Sequence, residues 1–221
     1  MNLSKYIDHT LLKATATEAD IMQLCKEAIE YKFYAVCVNS CYVDLCSTLL
    51  HKSTVKIASV VGFPLGAMDI LAKTAEARSA VLSGANEIDM VINIGFLKAG
   101  KYDLVEDEIK RIKRVVGKNV LKVIVETCYL TDEEKKIATQ LTVNANADFV
   151  KTSTGFGTGG ATLEDVALMK SITQNKIKIK ASGGIRDYAT AMQYIELGVS
   201  RIGTSNGIQI VSHQTGNEQD Y

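Results

Sequence analysis

Apolar residues along this chain follow two alternating patterns. Short runs rich in Val, Ile and Phe, the composition of strands buried on both faces, are separated by stretches whose apolar residues recur every three or four positions. The runs lie at 6–11, 33–38, 56–61, 87–92, 121–126, 148–152, 177–181 and 201–204. Their starts are about 23 to 34 residues apart, which is the length of one strand–loop–helix–loop unit. The stretches between them carry helix signals. Thr15-x-x-Glu18 reads as a capping box, with Ile21, Leu24, Cys25, Ala28 and Ile29 on the inner face. Thr131-x-x-Glu134 opens a second helix, and Thr162 caps a third with Asp165 placed to reach back. Gly84, Gly117 and Gly198 stand where helices should stop. The one proline, Pro64, falls in a loop after the third run.

Eight such units predict an α/β chain folded as a single (β/α)8 TIM barrel over residues 1–212, with an open doubly wound sheet as the alternative. Residues 213–221 are too polar to join a core and read as a mobile tail.

Composition narrows the function. Basic and acidic side chains number 25 each, so the net charge is zero and nothing marks the chain for nucleic acid or an anionic membrane. The basic stretch Lys110-Arg-Ile-Lys-Arg114 is interleaved with helix-spaced apolar residues and reads as a solvated face. The five cysteines (25, 37, 41, 46 and 128) lack zinc-ligand spacing, and their odd number suits reduced thiols in a cytoplasmic protein. No metal or cofactor is expected. The first residues lack the apolar core of a signal peptide.

The candidate chemistry lies at strand ends. Lys151 and Lys180 each close an apolar run and precede small residues and glycine. In a barrel, both fall at the C-terminal mouth on consecutive strands, where such enzymes build their sites. Burial and a neighbouring like charge both favour the neutral amine, the nucleophile a Schiff-base enzyme needs. Two lysines with their heads in water remain the plain alternative. Asp89 shares an inward face with Glu87, Val91 and Asn93, and reads either as a proton-transfer group or as the partner that neutralises a lysine. Lys178 shares a strand face with Lys180 and is assigned no role; either it reaches out of the lower barrel or the strand begins later than the run suggests. Ser182-Gly183-Gly184 and Gly203-Thr-Ser-Asn-Gly207 follow the seventh and eighth strands, where barrels commonly bind phosphate on backbone N–H groups; simple turns are the alternative.

Six segments in order resemble the deoxyribose-phosphate aldolase family: Ile7-Asp-His-Thr-Leu-Leu12, Val60-Val-Gly-Phe-Pro-Leu-Gly66, Glu87-Ile-Asp-Met-Val-Ile-Asn93, Phe149-Val-Lys-Thr-Ser-Thr-Gly155, Lys180-Ala-Ser-Gly-Gly-Ile-Arg186 and Arg201-Ile-Gly-Thr-Ser205. The resemblance implies a metal-free class I aldolase. Such an enzyme reversibly cleaves 2-deoxy-D-ribose 5-phosphate to D-glyceraldehyde 3-phosphate and acetaldehyde in deoxynucleoside breakdown. It implies Lys151 as the Schiff-base lysine, Lys180 as the lysine that keeps it deprotonated, and Asp89 as the acid of the proton relay. Thr154, Gly155, Gly183, Gly184, Gly203, Ser205 and Asn206 are then expected at the substrate; the family varies at the position of Phe156, so that side chain is assigned no phosphate contact. The expected partners are a small phosphosugar and acetaldehyde, and the resemblance suggests a homodimer. Some family members end in a tyrosine that enters the site, so Tyr221 is a candidate proton-relay group, with a loose chain end as the alternative. The rival functions are another phosphosugar enzyme on this barrel, such as a transaldolase-like enzyme or an isomerase, and a non-catalytic barrel that binds a phosphorylated metabolite.

Overall fold

The computed structural model describes residues 2–213. Eight strands close into one parallel barrel in chain order: β1 (Ile7–Leu11), β2 (Ala35–Val38), β3 (Lys56–Val61), β4 (Glu87–Val91), β5 (Val120–Ile124), β6 (Phe149–Lys151), β7 (Lys178–Ser182) and β8 (Arg201–Thr204). All eight predicted runs are strands, with ends shifted by at most two residues. The closed ring excludes the open doubly wound sheet, because β1 pairs with β8 and sets Asp8 beside Gly203.

Helices cover the outside: α1 (Glu18–Glu30), α2 (Val43–Leu50), α3 (Ile70–Leu82), α4 (Ile94–Lys98), α5 (Tyr102–Val116), α6 (Asp132–Asn144), α7 (Leu163–Thr173), α8 (Tyr188–Glu196) and α9 (Gly207–Val211). The first helix begins later than its sequence suggests. Thr17, not Thr15, is the N-cap, because Asp20 Oδ2 accepts from both Thr17 N at 2.8 Å and Thr17 Oγ1 at 2.7 Å. Ile21, Leu24, Cys25 and Ala28 face inward as expected, but Ile29 is on the outer side and exposed. The Thr131–Glu134 capping box is present. Thr162 caps α7, whereas the Asp165 carboxylate turns to Lys135 at 2.6 Å instead of reaching back. Gly84, Gly117 and Gly198 all have positive φ at helix ends, a conformation that residues with a Cβ avoid. On α5, Arg111 pairs with Asp107 at 2.6 Å and Lys110 with Glu106 on the same helix, while Lys113 reaches Asp148 at 2.5 Å, so the basic stretch is largely paired within the fold.

Strand residues of the outer face (Val36, Val38, Ile88, Met90, Val123 and Val150 among them) pack against the helices in the main core, each worth roughly 1.5–3 kcal/mol when fully buried. Inside the ring the filling is divided. Leu12, Cys37, Ala58 and Val60, with Phe63, make a small apolar cluster beside β2 and β3. The remainder of the interior carries the buried charges, and that half holds the candidate site. His213, the first residue of the predicted tail, stacks on Tyr188 with ring centroids 3.9 Å apart.

Candidate active site

Parallel register arranges the charged inward residues of β4 to β8 in two neighbouring rows. Lys151 pairs with Lys180, Lys180 with Arg201, and Asp89 with Lys122. Asp89 is fully buried and takes three lysines: Lys122 Nζ at 2.6 Å on Oδ1, and Lys151 and Lys180 at 2.9 and 2.8 Å on Oδ2. Below it, Asp8 accepts from Lys180 at 2.5 Å and Arg201 at 2.8 Å. Glu87 joins Arg201 at 3.1 Å to Lys122 at 2.5 Å. The Arg201 guanidinium lies 3.4 Å from the Tyr34 ring centroid.

Three carboxylates thus meet four cationic side chains, all buried. With every group ionised the cluster holds one surplus positive charge; with one amine neutral it balances. The partners decide which amine that is. Lys180 touches two carboxylates and Lys122 two closely, but Lys151 touches Asp89 alone. Burial is the largest influence on Lys151 and, with the Lys180 charge, pushes its pKa below the ordinary lysine value against the pull of Asp89. Burial acts on Lys180 too, yet Asp8 and Asp89 outweigh it and hold that amine well above the usual range. Asp89 is held well below the carboxylate range despite its burial, by Lys122, Lys151 and Lys180. The two lysines alike in sequence are therefore shifted in opposite directions.

Lys178 points away; it is exposed at the lower rim, 5.7 Å over the Phe149 ring. The glycines of the mouth serve different needs. Gly184 has φ of +78° and nothing within 4 Å of a built Cβ, so its backbone faces open space. Gly183 and Gly160 pass so closely that a Cβ on Gly160 would lie 2.3 Å from the Gly183 carbonyl oxygen; the loops after β6 and β7 cross on these two residues. Gly203 lies inside, where a Cβ would stand 3.0 Å from Lys180 Cε, so its smallness makes room for that side chain. Ser182 pairs with Gly203, and Gly183-Gly184 and Ser205-Asn206 follow the ends of these two neighbouring strands. Thr154 is buried, its N–H and hydroxyl both donated to Glu126, and Gly155 follows it with φ of +89°. Tyr221 lies outside the described residues.

The ion network of Asp8, Glu87, Lys122 and Arg201 escaped sequence reading, although a usable signal was present. Each is a charged residue in the inward phase of an otherwise apolar strand, and a parallel strand buried on both faces tolerates such a charge only beside a partner. Glu126 was also missed; it follows β5 with a left-handed φ of +56°.

A parallel barrel with a depressed-pKa amine at its C-terminal mouth, braced by an ionised carboxylate and a second, charged lysine, belongs to the lysine-dependent aldolases. The chain is a member of the DeoC/LacD aldolase family, whose family model matches residues 3–213. It is 57% identical over 211 residues to a deoxyribose-phosphate aldolase of Finegoldia magna, covering 96% of this chain and 99% of that one. It is 56% identical to the enzyme of that name from Carboxydothermus hydrogenoformans, covering 99% and 97%. Among solved structures, the tetrameric deoxyribose phosphate aldolase of Aeropyrum pernix superposes with a TM-score of 0.89 at 33% identity, covering 95% of this chain and 89% of that one.

Proposed function

We propose that this enzyme reversibly cleaves 2-deoxy-D-ribose 5-phosphate to D-glyceraldehyde 3-phosphate and acetaldehyde through a Schiff base on Lys151. The observation that carries the assignment is the unequal sharing of carboxylates, which leaves Lys151 the one amine of lowered pKa in a ring of charged partners.

Neutral Lys151 adds to the C1 aldehyde of the open-chain sugar, and loss of water gives an iminium. C2–C3 is the bond that breaks, rather than C3–C4, because only electrons released at C2 can delocalise into the iminium. The C3 hydroxyl loses its proton and becomes the carbonyl of glyceraldehyde 3-phosphate, leaving an enamine on Lys151. Protonation at C2 and addition of water release acetaldehyde and restore the amine. Asp89 enters ionised and so takes the proton first, Lys180 enters charged and can give one, and a water completes the exchange. Thr154, Gly155, Gly183, Gly184, Gly203, Ser205 and Asn206 form the phosphosugar side of the site, with the Gly184 backbone turned to the phosphate. Binding energy gathered there, remote from C2–C3, holds the reacting bond over Lys151.

Among the described residues no helix is long and apolar enough to cross a membrane. We assign the enzyme to the cytoplasm, acting in deoxynucleoside breakdown as a homo-oligomer, a dimer being the simplest form. Borohydride reduction with acetaldehyde tests the assignment. One ethyl group should appear on Lys151, and Lys151→Met should abolish both labelling and turnover with the fold intact. Labelling at Lys180 would overturn the division of roles.

A further inference from the structure

Glu126 is a buried acid that the chemistry above leaves unused. It is 2% exposed, and among the described residues no cationic side chain lies within ion-pair distance of it. Its backbone is left-handed, at φ +56° and ψ +71°, which a side chain with a Cβ adopts against steric resistance. Burying an unpaired carboxylate and straining its backbone are both unfavourable, and such features persist where the surroundings impose them, often at functional sites.

The kink aims the carboxylate across the mouth. Glu126 Oε1 and Oε2 stand 3.1 and 3.3 Å from Thr154 N, and the Thr154 hydroxyl donates to Oε2. The same hydroxyl oxygen accepts from Phe156 N at 3.0 Å. Phe156 in turn meets the Phe63 ring edge-on, at 5.2 Å between centroids, from the opposite side of the opening. The loop runs close over the acid: a Cβ on Gly157 would stand 2.7 Å from Cys128 Sγ and 3.3 Å from the Glu126 carboxyl carbon. Lys151 itself is held by other bonds, since Val125 N donates to Lys151 O at 3.1 Å and Thr127 N to Thr152 O at 3.0 Å.

We infer that Glu126 is a positioning residue: its carboxylate fixes the Thr154–Phe156 turn, and through it the substrate-facing backbone at Gly155 and the aromatic pair across the mouth. The inference rests on the proposed function, because the phosphosugar gives that turn its purpose. It separates two measurements. Iminium formation with acetaldehyde needs Lys151 but not the turn; cleavage of deoxyribose 5-phosphate needs both.

The test is a double-mutant cycle of Glu126→Gln and Thr154→Val, with kcat and KM for deoxyribose 5-phosphate, acetaldehyde trapping and thermal melting measured on each variant. Gln keeps the size of Glu but loses the charge that strengthens its bond to an N–H. Glu126→Gln should lower kcat/KM by roughly 10- to 100-fold, the loss of one charge-assisted hydrogen bond, chiefly through KM, and slow trapping far less. Thr154→Val should cause a similar loss that the double variant does not deepen, and Thr154→Ser should restore most of it. The inference is overturned if Glu126→Gln slows trapping as much as cleavage, if kcat/KM stays within twofold of wild type, or if the losses are additive. Wild-type enzyme that neither traps acetaldehyde nor cleaves the sugar phosphate would refute the proposed function instead. If Glu126→Gln fails to fold, Thr154→Val against Thr154→Ser decides: equal losses refute the role of the hydroxyl bridge.

Discussion

Removing the Lys180 charge by Lys180→Met should cripple the nucleophile without touching it. Both amines contact the same oxygen, Asp89 Oδ2, at 2.9 and 2.8 Å, so their nitrogens lie within about 6 Å of one another. Two unit charges at about 6 Å repel by about 3 kcal/mol at an effective dielectric of about 20. That repulsion disfavours protonation of Lys151, and its loss lowers the share of neutral amine roughly 100-fold at any pH where the protonated form dominates. Asp8 and Asp89, no longer neutralised by Lys180, shift Lys151 further the same way. The sign follows: Lys151 has a lowered pKa in the wild type, it reacts only as the free amine, and the substitution moves its pKa up. Trapping with acetaldehyde and borohydride, followed by mass spectrometry from neutral to alkaline pH, should show a loss near pH 7 of about 10²-fold that shrinks as pH rises. Trapping reports iminium formation alone, so it separates this effect from any later proton transfer by Lys180. A variant that traps within threefold of wild type at pH 7 would refute the reasoning, as would a loss of the same factor at every pH.

Other outcomes follow from the same geometry. Gly184→Leu should cut kcat/KM for deoxyribose 5-phosphate by roughly 10- to 100-fold, the scale of one or two charge-assisted backbone bonds, while unphosphorylated deoxyribose loses much less; equal losses would assign the residue to folding. Asp8→Asn leaves Lys180 and Arg201 short of a buried partner and should lower Tm on the order of 10 °C, from a cost of about 3–5 kcal/mol, as read by calorimetry. Tyr221→Phe, or removal of the last residue, should leave trapping at Lys151 intact and slow turnover on the order of 10²-fold; exchange of acetaldehyde methyl protons with D2O should slow in parallel, and rates within twofold of wild type would make Tyr221 the end of a loose tail.

The barrel was legible because two periodicities alternate eight times, and strand ends were misjudged by no more than two residues. Helix starts were less so. Thr15-x-x-Glu18 and Thr17-x-x-Asp20 overlap, and only the three-dimensional bonds show that Asp20 closes the box. In the site, Lys151, Lys180 and Asp89 stood out because a charge at the end of an apolar run is visible locally. The opposite pKa shifts of the two lysines were not. The difference depends on Asp8, which lies 172 residues from Lys180 in the chain and becomes its neighbour only when β8 meets β1. Gly203 illustrates the same limit: the sequence places it in the eighth strand, but only the fold shows that its smallness leaves room for the Lys180 side chain.

That last closure has a consequence for the chain before it is folded. Lys180 meets Asp8 across 172 residues, and Arg201 meets Asp8 across 193. Until the final strand is delivered, Lys151 is an ordinary lysine, protonated at neutral pH and slow toward aldehydes. The nucleophile is therefore latent during synthesis: a growing or partly unfolded chain collects imine adducts from free aldehydes at Lys151 no faster than at any other lysine, and the raised reactivity comes with the completed ring.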